Sequence, residues 1–138
     1  MARIIGIDYG TKRTGIATTD PLQIIVTALD TVHTSALLDY LKTYCAQEEV
    51  EAFVIGEPLH LDGTPTHIAH LVKGLMNSLE KLFPNKKVVL HDERFTSEDA
   101  KKIILASGVK KKKRRDKALV DKVSAVLILQ DYLGHLED

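Results

Sequence analysis

The chain has 138 residues, 44% hydrophobic and 28% charged, which fits one domain spanning residues 1–138 and leaves no room for two full lobes. No run approaches the roughly 20 apolar residues of a membrane span, the N-terminus lacks a secretory apolar region, and the single cysteine excludes an internal disulfide, so the expected location is the cytoplasm. Basic and acidic residues number 19 each, but unevenly: ten basic residues face two acids between Lys101 and Lys122, a local charge of +8 against −8 elsewhere.

Residues Arg3 to Tyr9 form a continuous apolar, β-branched run and predict a buried strand. Arg13 to Thr19 and Leu22 to Leu29 predict two more, divided by the turn dipeptide Asp20-Pro21. The period then changes. Leu37, Leu38, Leu41, Tyr44 and Cys45 recur at helical spacing from Ser35 to about Glu49, behind a possible N-cap at Thr34 or Ser35. Ala52 to Gly56 is a short strand, followed by the turn-rich HLDGTP. Thr66 to Phe83 is helical by period, and Lys87 to Leu90 is the fifth strand, ending in HDER. A helix is expected from Thr96 to about Ser107, closed by Gly108, then a basic loop, then a last helix from Asp116 to Leu136. The order βββαβαβαα predicts an α/β fold: a mixed five-stranded sheet, three strands in an antiparallel meander and the rest parallel, with helices on both faces.

Asp8 poses a question, because a buried strand seldom carries an acid without a partner. It ends the first strand, where α/β proteins build sites. Glu57 ends the fourth strand and Glu93 follows the fifth. Asp121 lies in the last helix, and the small residues Ser124 and Ala125 on its face permit close approach to the sheet. Each acid alone is most simply a turn former, cap or salt-bridge partner. Together on elements that should meet, Asp8, Glu93 and Asp121 point to a Mg²⁺ or Mn²⁺ site, and hard oxygen donors of that kind suit phosphoryl chemistry.

Lys12 and Arg13 lie in the turn beside Asp8, and Arg94 follows Glu93 with a guanidinium suited to bidentate phosphate binding. Lys110, Lys111, Lys112, Lys113, Arg114 and Arg115 form a tract too charged to fold alone, expected to grip a nucleic-acid backbone without reading sequence. Aromatic residues make up 5% of the chain and tryptophan is absent, which offers little for base stacking. His67 and His70 are three apart but lack a third ligand, so they read as surface histidines. His91 is a weaker candidate proton carrier, and Cys45 reads as core.

GIDYGTKRTGIA, VIGEPLHLDG, LHDERFTSEDA and VDKVSAVLILQDYL, in that order along nearly the whole chain, resemble the YqgF/RuvX family. These are RuvC-like Holliday junction resolvases, also regarded as pre-16S ribosomal RNA nucleases. The resemblance implies an RNase H-like fold and an acidic set at Asp8, Glu93 and Asp121. Many members carry an apolar residue where this chain has Glu57; related resolvases end the fourth strand in an acid, which makes Glu57 either a candidate fourth ligand or a tolerated surface variant. The expected function is metal-dependent hydrolysis of phosphodiesters in a ribosomal RNA precursor, acting with or without the ribosome. Branched DNA cleavage and non-catalytic nucleic-acid or ribosome binding are the alternatives. Monomer and homodimer both remain open, since a resolvase needs two sites and RNA trimming needs one. DYGTKRTG also resembles the phosphate-binding hairpin of the actin and sugar-kinase superfamily, but those proteins close two lobes over ATP and this chain has length for one.

Overall fold

The computed structural model describes residues 2–57, 66–92 and 117–134. Within them, β1 (Arg3–Asp8), β2 (Arg13–Thr19) and β3 (Val26–His33) come first. A 3-10 turn (Thr34–Ala36) leads into α1 (Leu37–Gln47), followed by β4 (Val50–Glu57), α2 (Ala69–Leu82), β5 (Lys87–Asp92) and α3 (Lys117–Tyr132). The sheet order is β3-β2-β1-β4-β5. β2 pairs antiparallel with both β1 and β3, while β4 runs parallel to β1 and β5. This is the mixed five-stranded sheet that the sequence order predicts. The helix expected from Thr96 and the basic tract lie outside the described residues.

β1 is the middle strand and is covered on both faces, which is why its sequence reads as unbroken Ile-Ile-Gly-Ile. Alternation divides it. Ile5 and Ile7 join Phe53 and Ile55 of β4 against Leu37 and Leu41 of α1 and Val72, Leu75 and Leu79 of α2. On the other face Ile4 joins Ala17, Ala52 and Val54 against Ala125, Ile128 and Leu129 of α3. Gly6 lies on this second face. A Cβ there would sit 2.5 Å from Leu129 Cγ and 3.0 Å from the Ala125 carbonyl oxygen, so α3 rests directly on the strand backbone.

β3 begins at Val26, four residues later than its apolar run predicts. The cause is Asp20. Its Oδ1 accepts the backbone N–H groups of Ile24 and Ile25, both at 2.7 Å, and its Oδ2 accepts that of Leu22 at 3.2 Å. These bonds hold the Asp20 carboxyl below its ordinary range and wrap residues 20–25 into a turn. Gln23 completes it at φ 60°, and its amide donates to the Ala2 carbonyl and to Glu51. Leu22, Ile24 and Ile25 are left exposed, where hydropathy alone places them in a strand. The start of α1 also differs: neither Thr34 nor Ser35 caps it. His33 instead accepts the Ser35 N–H at the preceding 3-10 turn, and α1 opens at Ala36 without a side-chain cap.

Candidate active site

Asp8 is the last residue of β1 and pairs across the ladder with Gly15 of β2. It shares the α3 face with Ile4 and Gly6, because side chains alternate along the strand. A Cβ at Gly15 would lie 2.0 Å from the carbonyl oxygen of Asp121 and 2.4 Å from its carbonyl carbon. The missing side chain therefore lets the second turn of α3 settle on β2 at the residue facing Asp8. Paired Cα atoms of an antiparallel ladder are about 4.5–5.5 Å apart, so Asp8 and Asp121 are neighbours on one sheet face although 113 residues separate them. The answer to the acid in β1 is that it sits at the strand's end, half-buried, beside the backbone that carries a second acid.

Arg13 joins them. Its Nε donates to Asp121 Oδ2 at 3.1 Å. With side chains 40% and 22% exposed, the pair adds little stability, and its main effect is to orient the Asp121 carboxylate. The guanidinium nitrogens beyond Nε keep the fork that fits a phosphate. The turn before Arg13 is braced from α1's side: Thr34 Oγ1 donates to the Gly10 carbonyl at 2.6 Å, and the Thr34 N–H donates to the Lys12 carbonyl at 2.9 Å. Lys12 projects from this braced turn as an exposed side chain.

Glu57 takes a different position. It ends β4 beside Asp92, and alternation with Phe53 and Ile55 sets it on the α1/α2 face, opposite Asp8. Among the described residues no three His, Cys, Asp or Glu side chains converge as a metal-holding group. Glu93 and Arg94, next in the chain after β5, lie outside the described residues, as do Lys110, Lys111, Lys112, Lys113, Arg114 and Arg115.

A contact not anticipated from sequence sits at the far side of the sheet. His91 of β5 meets Asp131 of α3, Nε2 to Oδ2, at 2.5 Å, with Tyr132 edge-on to its ring. Asp131 lies about 15 Å along the helix from Asp121 at 1.5 Å per residue. His91 is thereby engaged away from Asp121 rather than beside it, and the helix crosses the sheet from β2 to β5. Both partners stand in family-like segments, but their separation of 40 residues carries no periodic signal that would pair them. His67 and His70 are exposed, and Cys45 packs half-buried against the core with burial pushing its thiol up. Among the described residues no helix is long and apolar enough to cross a membrane.

The donor chemistry fits Mg²⁺ or Mn²⁺. Such ions take hard oxygen ligands, and Mg²⁺ is commonly held by only one or two carboxylates together with substrate phosphate. Asp8 and Asp121 supply two carboxylates from rigid elements, and the Arg13 guanidinium stands beside Asp121.

The family described as "RuvX: Holliday junction resolvase" matches residues 2–135. A protein of Flavobacterium johnsoniae described as "Putative pre-16S rRNA nuclease" is 50% identical over 134 residues, covering 97% of both chains. One of Porphyromonas gingivalis with the same description is 50% identical over 135 residues, covering 98% of both. Among solved structures, the ROK hexokinase of Thermus thermophilus overlaps 72% of this chain and 38% of its own, at a TM-score of 0.46 and 17% identity. With the family model matching residues 2–135, relatives half-identical over nearly the whole chain and the sheet order as expected, this chain belongs to the RuvX family.

Proposed function

We propose that this protein is a divalent-metal-dependent endonuclease that hydrolyses phosphodiesters of structured nucleic acid, with the precursor of 16S ribosomal RNA as its substrate. The observation that carries the reading is the placing of Asp121 over Gly15, directly across from Asp8, with Arg13 on the Asp121 carboxylate. The descriptions of the half-identical relatives supply the RNA substrate.

Asp8 and Asp121, joined by Glu93, hold the metal, while Glu57 on the opposite sheet face stays outside the set. A bound Mg²⁺ or Mn²⁺ supplies Lewis acidity at the phosphoryl oxygens and activates water. Arg13 keeps Asp121 aimed and offers its remaining donors to a phosphate oxygen, as does Arg94. Lys12 adds charge at the exposed turn. A site built on strand and helix ends holds these groups in fixed relation, which is the main protein contribution to phosphoryl transfer.

The decisive experiment incubates purified protein with a 16S precursor and, in parallel, a four-way DNA junction, with Mg²⁺, Mn²⁺ or EDTA. Cleavage of the RNA at one site, abolished by EDTA, is the expected result. Preferential cutting of the junction transfers the assignment to the resolvase that the family description names. Binding of both without cleavage under any ion makes the protein a binding module.

The tract Lys110 to Arg115 grips the polymer backbone. Replacing all six residues with glutamine is expected to weaken RNA binding whatever its sequence. It should also flatten the plot of log affinity against log salt by about 0.7–0.9 for each phosphate no longer neutralised. An unchanged slope would remove the tract from the interface.

A further inference from the structure

On the other side of β1 from the acids lies a cavity of about 310 Å³, walled by Tyr9, Thr34, Leu38, Leu71, Gly74 and Ser78. We propose that it takes one nucleobase of the same polymer whose phosphate lies at Asp8, an assignment that rests on the nuclease reading above.

Position, size and chemistry support it. Tyr9 follows Asp8 directly, so the cavity and the carboxylate sit on the two faces of one strand end. The volume is at the lower end of ligand sites, roughly 300–1,000 Å³, and suits one ring system rather than an extended chain. The walls are leucines and one tyrosine ring, which give an apolar bed and an aromatic face for stacking. Among the described residues no charged side chain lines the cavity, which argues against a second phosphate site.

The polar groups narrow the ligand further. Thr34 Oγ1 donates its hydrogen to the Gly10 carbonyl and Ser78 Oγ donates its hydrogen to the Gly74 carbonyl at 3.1 Å. Ser78 Oγ keeps its lone pairs for a ligand, while Thr34 Oγ1 also accepts from Thr14 Oγ1 at 3.0 Å and keeps one; acceptors of this kind match an exocyclic amino group, with two hydrogens to give, better than a base whose edge offers a single ring N–H. Thr34 also braces the turn that carries Lys12 and Arg13, tying the cavity wall to the phosphate side.

Gly74 adds an independent argument. It sits in the interior of α2, where glycine weakens a helix, yet a Cβ there would meet nothing within 4 Å. Packing does not require the glycine. Its effect is to leave the wall of the cavity open.

The test titrates adenosine 5′-monophosphate, uridine 5′-monophosphate and inorganic phosphate into the full chain without metal, following backbone amide NMR signals. Saturable shifts at Tyr9, Gly74 and Ser78 with the adenosine nucleotide, at least fivefold weaker with the uridine nucleotide and absent with phosphate, are expected. Gly74→Leu, which fills the opening while favouring the helix, should abolish those shifts; Gly74→Ala should retain them. In the cleavage assay Gly74→Leu should raise KM about tenfold and leave kcat within twofold. No shift near Tyr9, equal shifts from benzyl alcohol, or identical shifts in Gly74→Leu would each overturn the base site. Nucleotide binding by a protein that cuts nothing would leave the base site standing and remove the nuclease reading instead.

Discussion

Asp8→Asn is expected to lower Mg²⁺-supported cleavage of the RNA precursor by at least about a thousandfold, equivalent to about 4 kcal/mol of transition-state stabilisation. The amide keeps the shape of the carboxylate but loses the negative charge that the proposed divalent cation requires. Folding should survive, because Asp8 stands at the half-buried end of β1 rather than among the isoleucines before it. Neutralising one of two neighbouring acids also relieves repulsion between them. The check is cleavage rate alongside the thermal unfolding midpoint of the same preparation. A variant that unfolds like the parent and cuts at a comparable rate would take Asp8 out of the catalytic set. Asp121→Asn should behave similarly with one difference: it also weakens the bond from Arg13 Nε, so it should raise KM as well as lower kcat.

Gly15→Ala should damage the site without touching a charged group. The added methyl would lie 2.0 Å from the Asp121 carbonyl oxygen and 3.0 Å from the Lys122 nitrogen. These are backbone atoms, so no rotamer change relieves the clash and α3 must lift from β2. Overpacking of this kind costs about 1–3 kcal/mol, which lowers the midpoint by several degrees in a domain of this size. Displacing Asp121 by about 1 Å should cost about a hundredfold in rate. Gly74→Ala is the matched control with the opposite sign, since its methyl enters open space in a helix and should stabilise by about 0.5–1 kcal/mol. If Gly15→Ala retains both stability and rate, α3 does not rest on β2 as described.

Much of this fold was legible in the order of its residues, and where it was not the reason is local. β1 and β4 could be read because central strands are apolar on both faces, and α2 because its leucines recur at helical spacing. The start of β3 could not, since Leu22, Ile24 and Ile25 have strand-like composition. What displaces them is one carboxylate folding back on three N–H groups. Asp8 and Asp121 were legible as site candidates from their places at a strand end and on a small-residue helix face. The bond from Arg13 to Asp121 spans 108 residues and is set by register, which periodicity does not encode. Glu57 shows the same limit: sequence places it at a strand end, and only the pairing of β1 with β4 decides which face it takes.

The seating of α3 also has a consequence during biosynthesis. All five strands precede this helix in the chain, and the helix alone among the described elements covers the face bearing Ile4, Ala17, Ala52 and Val54. A nascent chain emerging N-terminus first therefore exposes a bare sheet face and Asp8 before Asp121 has been synthesised. Burial of that face and completion of the acid pair occur in one docking event.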